Sequence, residues 1–318
     1  MTIIGIDVGG TKIAAGLVTF PEGKLTHKRT IATQASRAGV EILADVEQLV
    51  SGLVAEANSA GNPVSAIGLG VCEIVDAQGK QVSFQTIDWP ENIARNQLLN
   101  YCPVVVVEAD VRAAALAETL FGAGRGSPIF LYVSVGTGIS SALVIDGRPF
   151  IGSRGASGTL ASGQMPDFRG RSPTELPATL EQIASGAALP LRFNQREGGF
   201  TVTAQEVLSA ANSGNANAAE VIRSAAEALG ASVGWLINIL DPSKVVVGGG
   251  LGLAEGLYRD TFIASARQHT WWPPHLAVPI VPAETGTNAG IIGAAAAAWH
   301  RLIPESKRGS CGDPMQSS

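Results

Sequence analysis

Ile3-Ile4-Gly5-Ile6-Asp7-Val8-Gly9-Gly10-Thr11-Lys12 is the stretch on which the fold of this chain turns. An apolar run reaches an acid, then two glycines, a hydroxyl and a cation, and Ile13 to Val18 resume the apolar run at once. The pattern predicts strand, tight turn, strand. Glycine at positions 9 and 10 permits positive φ and lets backbone N–H groups come close to a ligand. A concavity of amides beside Thr11 and Lys12 suits a phosphate. Asp7, at the carboxyl end of the strand, suits a magnesium ion held through water. An ordinary hairpin with a Gly-Gly turn satisfies the same residues, so the stretches that follow decide between the two.

Outward from this hairpin, Leu25 to Thr33 reads as a third strand and Val40 to Ala57 as a helix, with Val40, Leu43, Val46, Leu49, Val50, Leu53 and Val54 on one face. Ser65 to Val71 and Val104 to Val107 are buried strands, the second ending at Glu108-Ala109-Asp110, and Val111 to Phe121 is a helix closed by Gly122. The opening pattern then returns: strand Ile129 to Val135, turn Gly136-Thr137-Gly138, strand Ile139 to Ile145. That echo suggests two similar halves. Ser153 to Ser172 is irregular and rich in Gly, Ser, Arg and Pro. Helices are expected from Leu180, over Ala216 to Leu240, over Leu257 to Gln268 and over Gly286 to Trp299, with strands at Lys244 to Val247 and Val278 to Val281. Residues after Ile303 read as a loose tail.

A chain of 318 residues has the length of about two domains. At 46% hydrophobic and 15% charged residues it can bury a sizeable core. Its net charge of −5 and the lack of a Lys/Arg-rich block argue against nucleic acid as a partner. Cys72, Cys102 and Cys311 show no metal-ligand or redox spacing and fit a reducing compartment. No leader-like stretch precedes the first strand, and no apolar run is long enough to span a bilayer. A cytoplasmic protein without a membrane partner is expected.

Three more stretches carry chemistry. Gly136-Thr137-Gly138 can present amides to an anion or simply turn a hairpin. Gly248-Gly249-Gly250, after a buried strand, can pass under a flat ligand or simply join strand to helix. Asp110 at the end of an apolar strand can be a general base or a helix N-cap. Their order is informative: DVGGTK at 7–12, EADVRAAALAE at 108–118, VSVGTGIS at 133–140, LEQIASG at 180–186, DPSKVVVGGGL at 241–251 and TGTNAGIIGAAAAA at 285–298. Together they resemble the ROK family of sugar kinases and repressors, within the hexokinase, actin and Hsp70 superfamily, over about residues 1 to 300.

The resemblance implies an α/β fold of two ribonuclease-H-like, actin-like ATPase domains with ATP in the cleft between them. The smaller would hold residues 1–115 with the C-terminal helix 287–302, the larger 116–286, and 303–318 a flexible tail. It further implies that Gly9, Gly10, Thr11 and Lys12 face the outer phosphates. Gly136, Thr137 and Gly138 would take the other side, and Gly249 and Gly250 the adenosine. Asp7 would position magnesium through water, and Asp110 would take the proton of the acceptor hydroxyl. A homodimer is implied as well.

The departures fall on the sugar-binding set. The Asn-Asp of family kinases is Ala109-Asp110 here, and the Gly-Glu-x-Gly-His segment is Gly158-Thr159-Leu160-Ala161-Ser162. The zinc-binding cysteines that follow it in most members have no counterpart between Ser162 and Leu180, so no zinc is expected. Cys72-Glu73 replaces the usual Pro-Gly. Hydrogen-bonding sites reject analogues that leave their polar groups unpaired. The expected acceptor is therefore an amino sugar, deoxy sugar or cyclitol rather than plain glucose, met by Asp110, Glu181, Glu73, Thr159 and Ser162. A catalytically silent ligand-binding or sensor protein of the same fold is the alternative. An N-terminal helix-turn-helix of the repressor kind has no room before Thr2.

Overall fold

The computed structural model describes residues 1–164, 178–200 and 203–303. The later part of the irregular segment expected at Ser153 to Ser172, and the tail after Ile303 with its Cys311, lie outside the described residues. The chain divides into two compact units, one of Met1–Pro128, Val144–Ser157 and the described residues from Glu284 onward, the other of Ile129–Leu143 and Gly158–Ala283.

In the first unit β1 (Thr2–Val8) lies at the centre of a five-stranded sheet. Its neighbours are β2 (Lys12–Thr19), β3 (Lys24–Ala32), β4 (Val64–Val71) and β5 (Val105–Ala109), in the order β3-β2-β1-β4-β5. β2 runs antiparallel to β1 and to β3, whereas β4 is parallel to β1 and to β5. Alternate residues of a strand face opposite sides. Ile4, Ile6 and Val8 pack with Ile42, Val46, Val50 and Leu53 of α1 (Gly39–Ser59). Ile3 faces the other side, with Ala14, Val18 and Phe20, against Ile291, Ala295 and Trp299 of α9 (Ala289–Leu302). Covering both faces explains why β1 reads as an unbroken apolar run.

The alanine-rich end of the sequence makes this packing possible. A Cβ on Gly68 would lie 1.8 Å from the Ala294 carbonyl oxygen, and one on Gly293 would lie 1.7 Å from that of Ala113. α9 thus rests its backbone directly on β4 and on α3 (Asp110–Phe121). The domain boundary placed at about residue 115 falls inside α3, which stays whole in this unit because its small residues carry α9. Among the described residues no helix is long and apolar enough to cross a membrane.

The second unit repeats the strand, glycine turn, strand opening with β6 (Ile129–Val135) and β7 (Ile139–Ile145). β9 (Lys244–Gly248) runs parallel to β6, and β10 (Ile280–Pro282) parallel to β9. The two-residue β8 (Arg148–Pro149), into which the chain turns after β7, falls within the residues of the first unit. α7 (Ala216–Leu240) is the spine of the helical layer and buries Val221, Ile222, Ala225, Leu229, Val233 and Ile237. Around it lie α4 (Leu180–Ala184), α5 (Ala188–Glu197), α6 (Ala204–Asn212) and α8 (Leu257–Gln268). The strand expected from Val278 begins only at Ile280, because Pro273–Ala277 winds into a 3₁₀ turn first. Trp271, just before that turn, is 85% exposed.

Candidate active site

In the first unit the β1–β2 turn is closed by the Gly9 N–H, which donates to the Lys12 carbonyl at 3.0 Å. Thr33, fully buried, clamps it from behind: its hydroxyl donates to Gly9 O at 2.6 Å and its N–H to Thr11 O at 3.0 Å. Thr11 and Lys12 stay exposed. Neither Gly9 nor Gly10 adopts a positive φ, so the turn does not need the left-handed freedom that the sequence suggested. What it needs is room. A Cβ on Gly10 would lie 2.9 Å from Thr86 Cγ2.

Asp7 points to the α9 side of the sheet, against the first turn of that helix. A Cβ on Gly290 would lie 2.4 Å from the Asp7 carboxyl carbon. Burial raises the Asp7 carboxyl, and the charges of Lys12 and Lys28 pull it back. Asp110 opens α3 at the end of β5. It is not the N-cap: Ala109 holds that position without a side-chain bond, while Asp110 Oδ1 accepts the next N–H, that of Val111, at 2.6 Å. Burial first, and then the negative charge of Asp7, push the Asp110 carboxyl up to about 7, with Glu73 adding to the rise. The Val111 N–H and the Arg112 guanidinium oppose it. A carboxyl near 7 has the value suited to a base working at neutral pH. The same crowding of negative charge suits a hard cation. Among the described residues no group of three or more His, Cys, Asp or Glu is placed to hold a metal.

Glu73 corrects the sequence reading. It was expected among the residues that meet the acceptor, yet it is only 8% exposed. It accepts the Ser83 hydroxyl at 2.5 Å and the N–H groups of Gln85, Thr86 and Ile87 at 3.1, 2.6 and 3.1 Å. Four donors occupy the lone-pair sites of a carboxylate. Glu73 is spent on shaping the loop that sets Thr86 beside Gly10. Neighbouring Cys72 is half-buried, and burial, Asp110 and Glu73 push its thiol up to about 12. A thiol raised in this way is poorly suited to act as a nucleophile.

In the second unit the turn Gly136–Gly138 is held by its carbonyls. Gly186 N–H donates to Gly136 O at 2.8 Å and Ala187 N–H to Thr137 O at 3.2 Å. Glu181, exposed on α4, lies against this turn, its Oε2 accepting the Ile139 N–H at 2.9 Å. Thr159 and Ser162 are both exposed around a 3₁₀ turn, Leu160–Ser162. The segment that carries them is anchored where the Ser141 hydroxyl donates to Gly158 O at 2.9 Å. Gly249 takes φ +80°, and a Cβ there would lie 2.4 Å from Val135 O. Next to it, Gly250 edges a cavity of about 390 Å³. One wall is the face of α6 carrying Gln205, Leu208 and Asn212, and Leu253 and Glu255 line the other side.

A family model described as ROK family matches residues 3–301. The chain belongs to the ROK family. Among ROK relatives it is 28% identical to a glucokinase of Streptomyces coelicolor over 316 residues, covering 92% of this chain and 96% of the other. With an N-acetylmannosamine kinase of Pasteurella multocida it shares 28% over 306 residues, 93% of this chain and 95% of the other. The ROK glucokinase of Streptomyces griseus, solved with glucose and AMPPNP, superposes with a TM-score of 0.79 at 28% identity over 93% of this chain and 98% of that one. The two-unit α/β architecture is thus that of solved ROK kinases.

Sequence reasoning about this ROK chain missed residues that act by support. Thr33 gave no signal, since a lone Thr at a strand end has many uses. Arg112, 1% exposed, joins Glu108 to the carbonyls of Val75 and Gly155. A cation in the middle of an alanine-rich helical face was the signal that could have found it. Gln205, Asn212 and Glu255 sit on stretches that carry no motif.

Proposed function

We propose that this chain is an ATP-dependent kinase that phosphorylates a hydroxyl of an amino sugar, deoxy sugar or cyclitol, with Asp110 as general base. Its place among ATP-using sugar kinases rests on family membership and on likeness to a glucokinase solved with AMPPNP. The observation that carries the proposal is Asp110, held at the β5–α3 junction with its carboxyl near 7. Gly9, Gly10, Thr11 and Lys12 receive the outer phosphates, Gly136, Thr137 and Gly138 also bind phosphate, and the nucleoside enters the cavity beside Gly249 and Gly250. Asp7 holds magnesium through water, and the cation, when bound, offsets phosphate charge. Asp110 accepts the hydroxyl proton as that oxygen bonds to the γ-phosphorus and the bond to ADP breaks. The proton then leaves to solvent.

The substrate class rests on what the acceptor side lacks. Ala109 supplies no amide where family kinases carry Asn, and Thr159 to Ser162 supply hydroxyls but neither Glu nor His. Glu181 is the acid that meets a substrate hydroxyl in this reading, while Glu73 is withdrawn from the acceptor set. Release of ADP should be followed across glucose, N-acetylated amino sugars, deoxy sugars and cyclitols. Turnover with plain glucose above all the others overturns the substrate class. Acceptor binding with no ADP release favours the silent sensor.

Two further outcomes follow. Gly10→Val sets a branched side chain where phosphate must reach the amides. It should weaken ATP binding by at least about tenfold, ~1.4 kcal/mol, in a chain that still folds. Unchanged affinity by calorimetry would mean that the turn is only a hairpin. The second concerns pH. Only the carboxylate form of Asp110 accepts a proton, so kcat/KM should rise along a limb with an apparent pKa near 7 and level off above it. Saturating magnesium should move that limb lower, because a cation at Asp7 offsets the charge that raises Asp110. A rate flat between about pH 5 and 8 contradicts the assignment.

A further inference from the structure

α3 carries two acids, Asp110 at its first residue and Glu118 two turns along. Glu118 is fully buried. Its carboxylate accepts the N–H groups of Ala123 at 2.8 Å, Glu284 at 3.1 Å and Thr285 at 2.8 Å, together with the Thr285 hydroxyl. All four partners can donate, and the carboxyl oxygens have lone pairs for each of them. Its Gly122 neighbour leaves it the space, for a Cβ there would lie 2.1 Å from Glu118 Oε2.

Glu284-Thr285 is the segment that delivers α9. Thr285 precedes the 3₁₀ turn Gly286–Asn288, which runs straight into the helix. The first turn of α9 backs Asp7 at Gly290. Asn288, two residues earlier, accepts the Lys28 ammonium at 2.7 Å, and that charge lowers the Asp7 carboxyl. One turn further on, Gly293 lies against the backbone of Ala113 in α3. α3 and α9 are therefore joined at two levels, by backbone contact at Gly293 and by the Glu118 bonds before the helix starts. Asp110 hangs from one helix and Asp7 is backed by the other.

We infer that Glu118 is a positioning residue for phosphoryl transfer: by tying the entry of α9 to α3 it sets the separation of Asp7 from Asp110. This rests on the roles proposed above for those two acids. Glu118→Gln replaces one acceptor with an amide NH₂ that faces N–H donors, and lets the entry of α9 drift. Misplacement by about 1 Å far from the chemistry can cost about a hundred-fold.

The test uses the full chain with Glu118→Gln and the milder Thr285→Val, both studied well below their melting temperatures. Measured are kcat, the acceptor KM, and the affinity for Mn²⁺ in the presence of ADP, read by electron paramagnetic resonance. Expected for Glu118→Gln are a fall in kcat of about a hundred-fold, Mn²⁺ binding weakened by about tenfold, and an acceptor KM within about twofold. Thr285→Val should move the same quantities less, in the same direction. A lower melting temperature with kcat and Mn²⁺ affinity within about twofold of wild type in the folded variants would leave Glu118 a purely structural residue and overturn the inference. If Glu118→Gln does not fold, Thr285→Val decides by the same criterion. Wild-type turnover in Asp110→Asn would remove the underlying assignment and this inference with it, whereas an inactive Asp110→Asn beside a normal Glu118→Gln removes the inference alone.

Discussion

Asp110→Asn is expected to fold, bind ATP and lose phosphoryl transfer by about a hundred- to ten-thousand-fold, the usual contribution of a positioned general base. Amide for carboxylate is nearly isosteric, and the amide oxygen can still accept the Val111 N–H that Oδ1 accepts at 2.6 Å. What is lost is a group able to take the hydroxyl proton. The loss should appear in kcat, with the ATP affinity measured by calorimetry close to wild type. Turnover within about threefold of wild type on the true acceptor, far short of that range, would show that Asp110 serves only the start of α3.

The same substitution should stabilise the protein, which separates a functional acid from a structural one. The folded-state pKa of Asp110 is raised from 3.8 to about 7, so the folded chain holds a proton that the unfolded chain gives up. Stability from this group is therefore full below the unfolded value and is lost as pH rises through the folded one. Every tenfold difference in proton affinity between the two states corresponds to about 1.4 kcal/mol. An asparagine side chain at this position has no charge to bury, so the variant should melt above wild type at about pH 8 and level with it at about pH 4. A structural cap would show the reverse, since its loss destabilises at neutral pH.

The elements that were legible in the sequence are those whose apolar period has a single explanation. β1, β6 and β7 read as strands because their short segments are rich in β-branched residues, bounded by turn glycines and acids, and shorter than an ordinary helix. α7 read to its last residue because Asp241-Pro242 stops it. α5 and α6 were passed over: α5 is short and polar, whereas α6 carried a signal that was not used, the Thr203–Glu206 capping box before an amphipathic run. In the site, Asp7 and Asp110 were visible as acids ending apolar strands. Glu73 was visible as an acid but not as an inward one. Its direction depends on the N–H groups of Gln85, Thr86 and Ile87, a loop that local pattern does not place. Gly9 and Gly10 were found for a reason the backbone does not bear out, since a glycine needed for clearance and one needed for positive φ look alike in a sequence.

Arg112→Ala should be strongly destabilising. The guanidinium is 1% exposed. It donates from Nε to Glu108 Oε1 at 2.7 Å, from Nη1 to Gly155 O at 2.8 Å and from Nη2 to Val75 O at 2.6 Å. Three chain segments converge on one side chain beside the base. Truncation leaves the Glu108 charge without its partner and two carbonyls without donors, and breaking a buried pair from one side costs about 3–5 kcal/mol. A void left by the stem adds to that. Arg112→Lys keeps the charge but not the planar fork, so it cannot serve three acceptors in three directions and should recover only part of the loss. Urea unfolding followed by circular dichroism gives both values. The kinetic consequence has its own sign. Arg112 opposes the rise of the Asp110 carboxyl, so the acid limb of kcat/KM should move to higher pH in folded Arg112→Ala and stay near its place in Arg112→Lys. A loss under about 1 kcal/mol, the range of an exposed ion pair, with an unmoved limb would mean that Val75 and Gly155 are held by something other than Arg112.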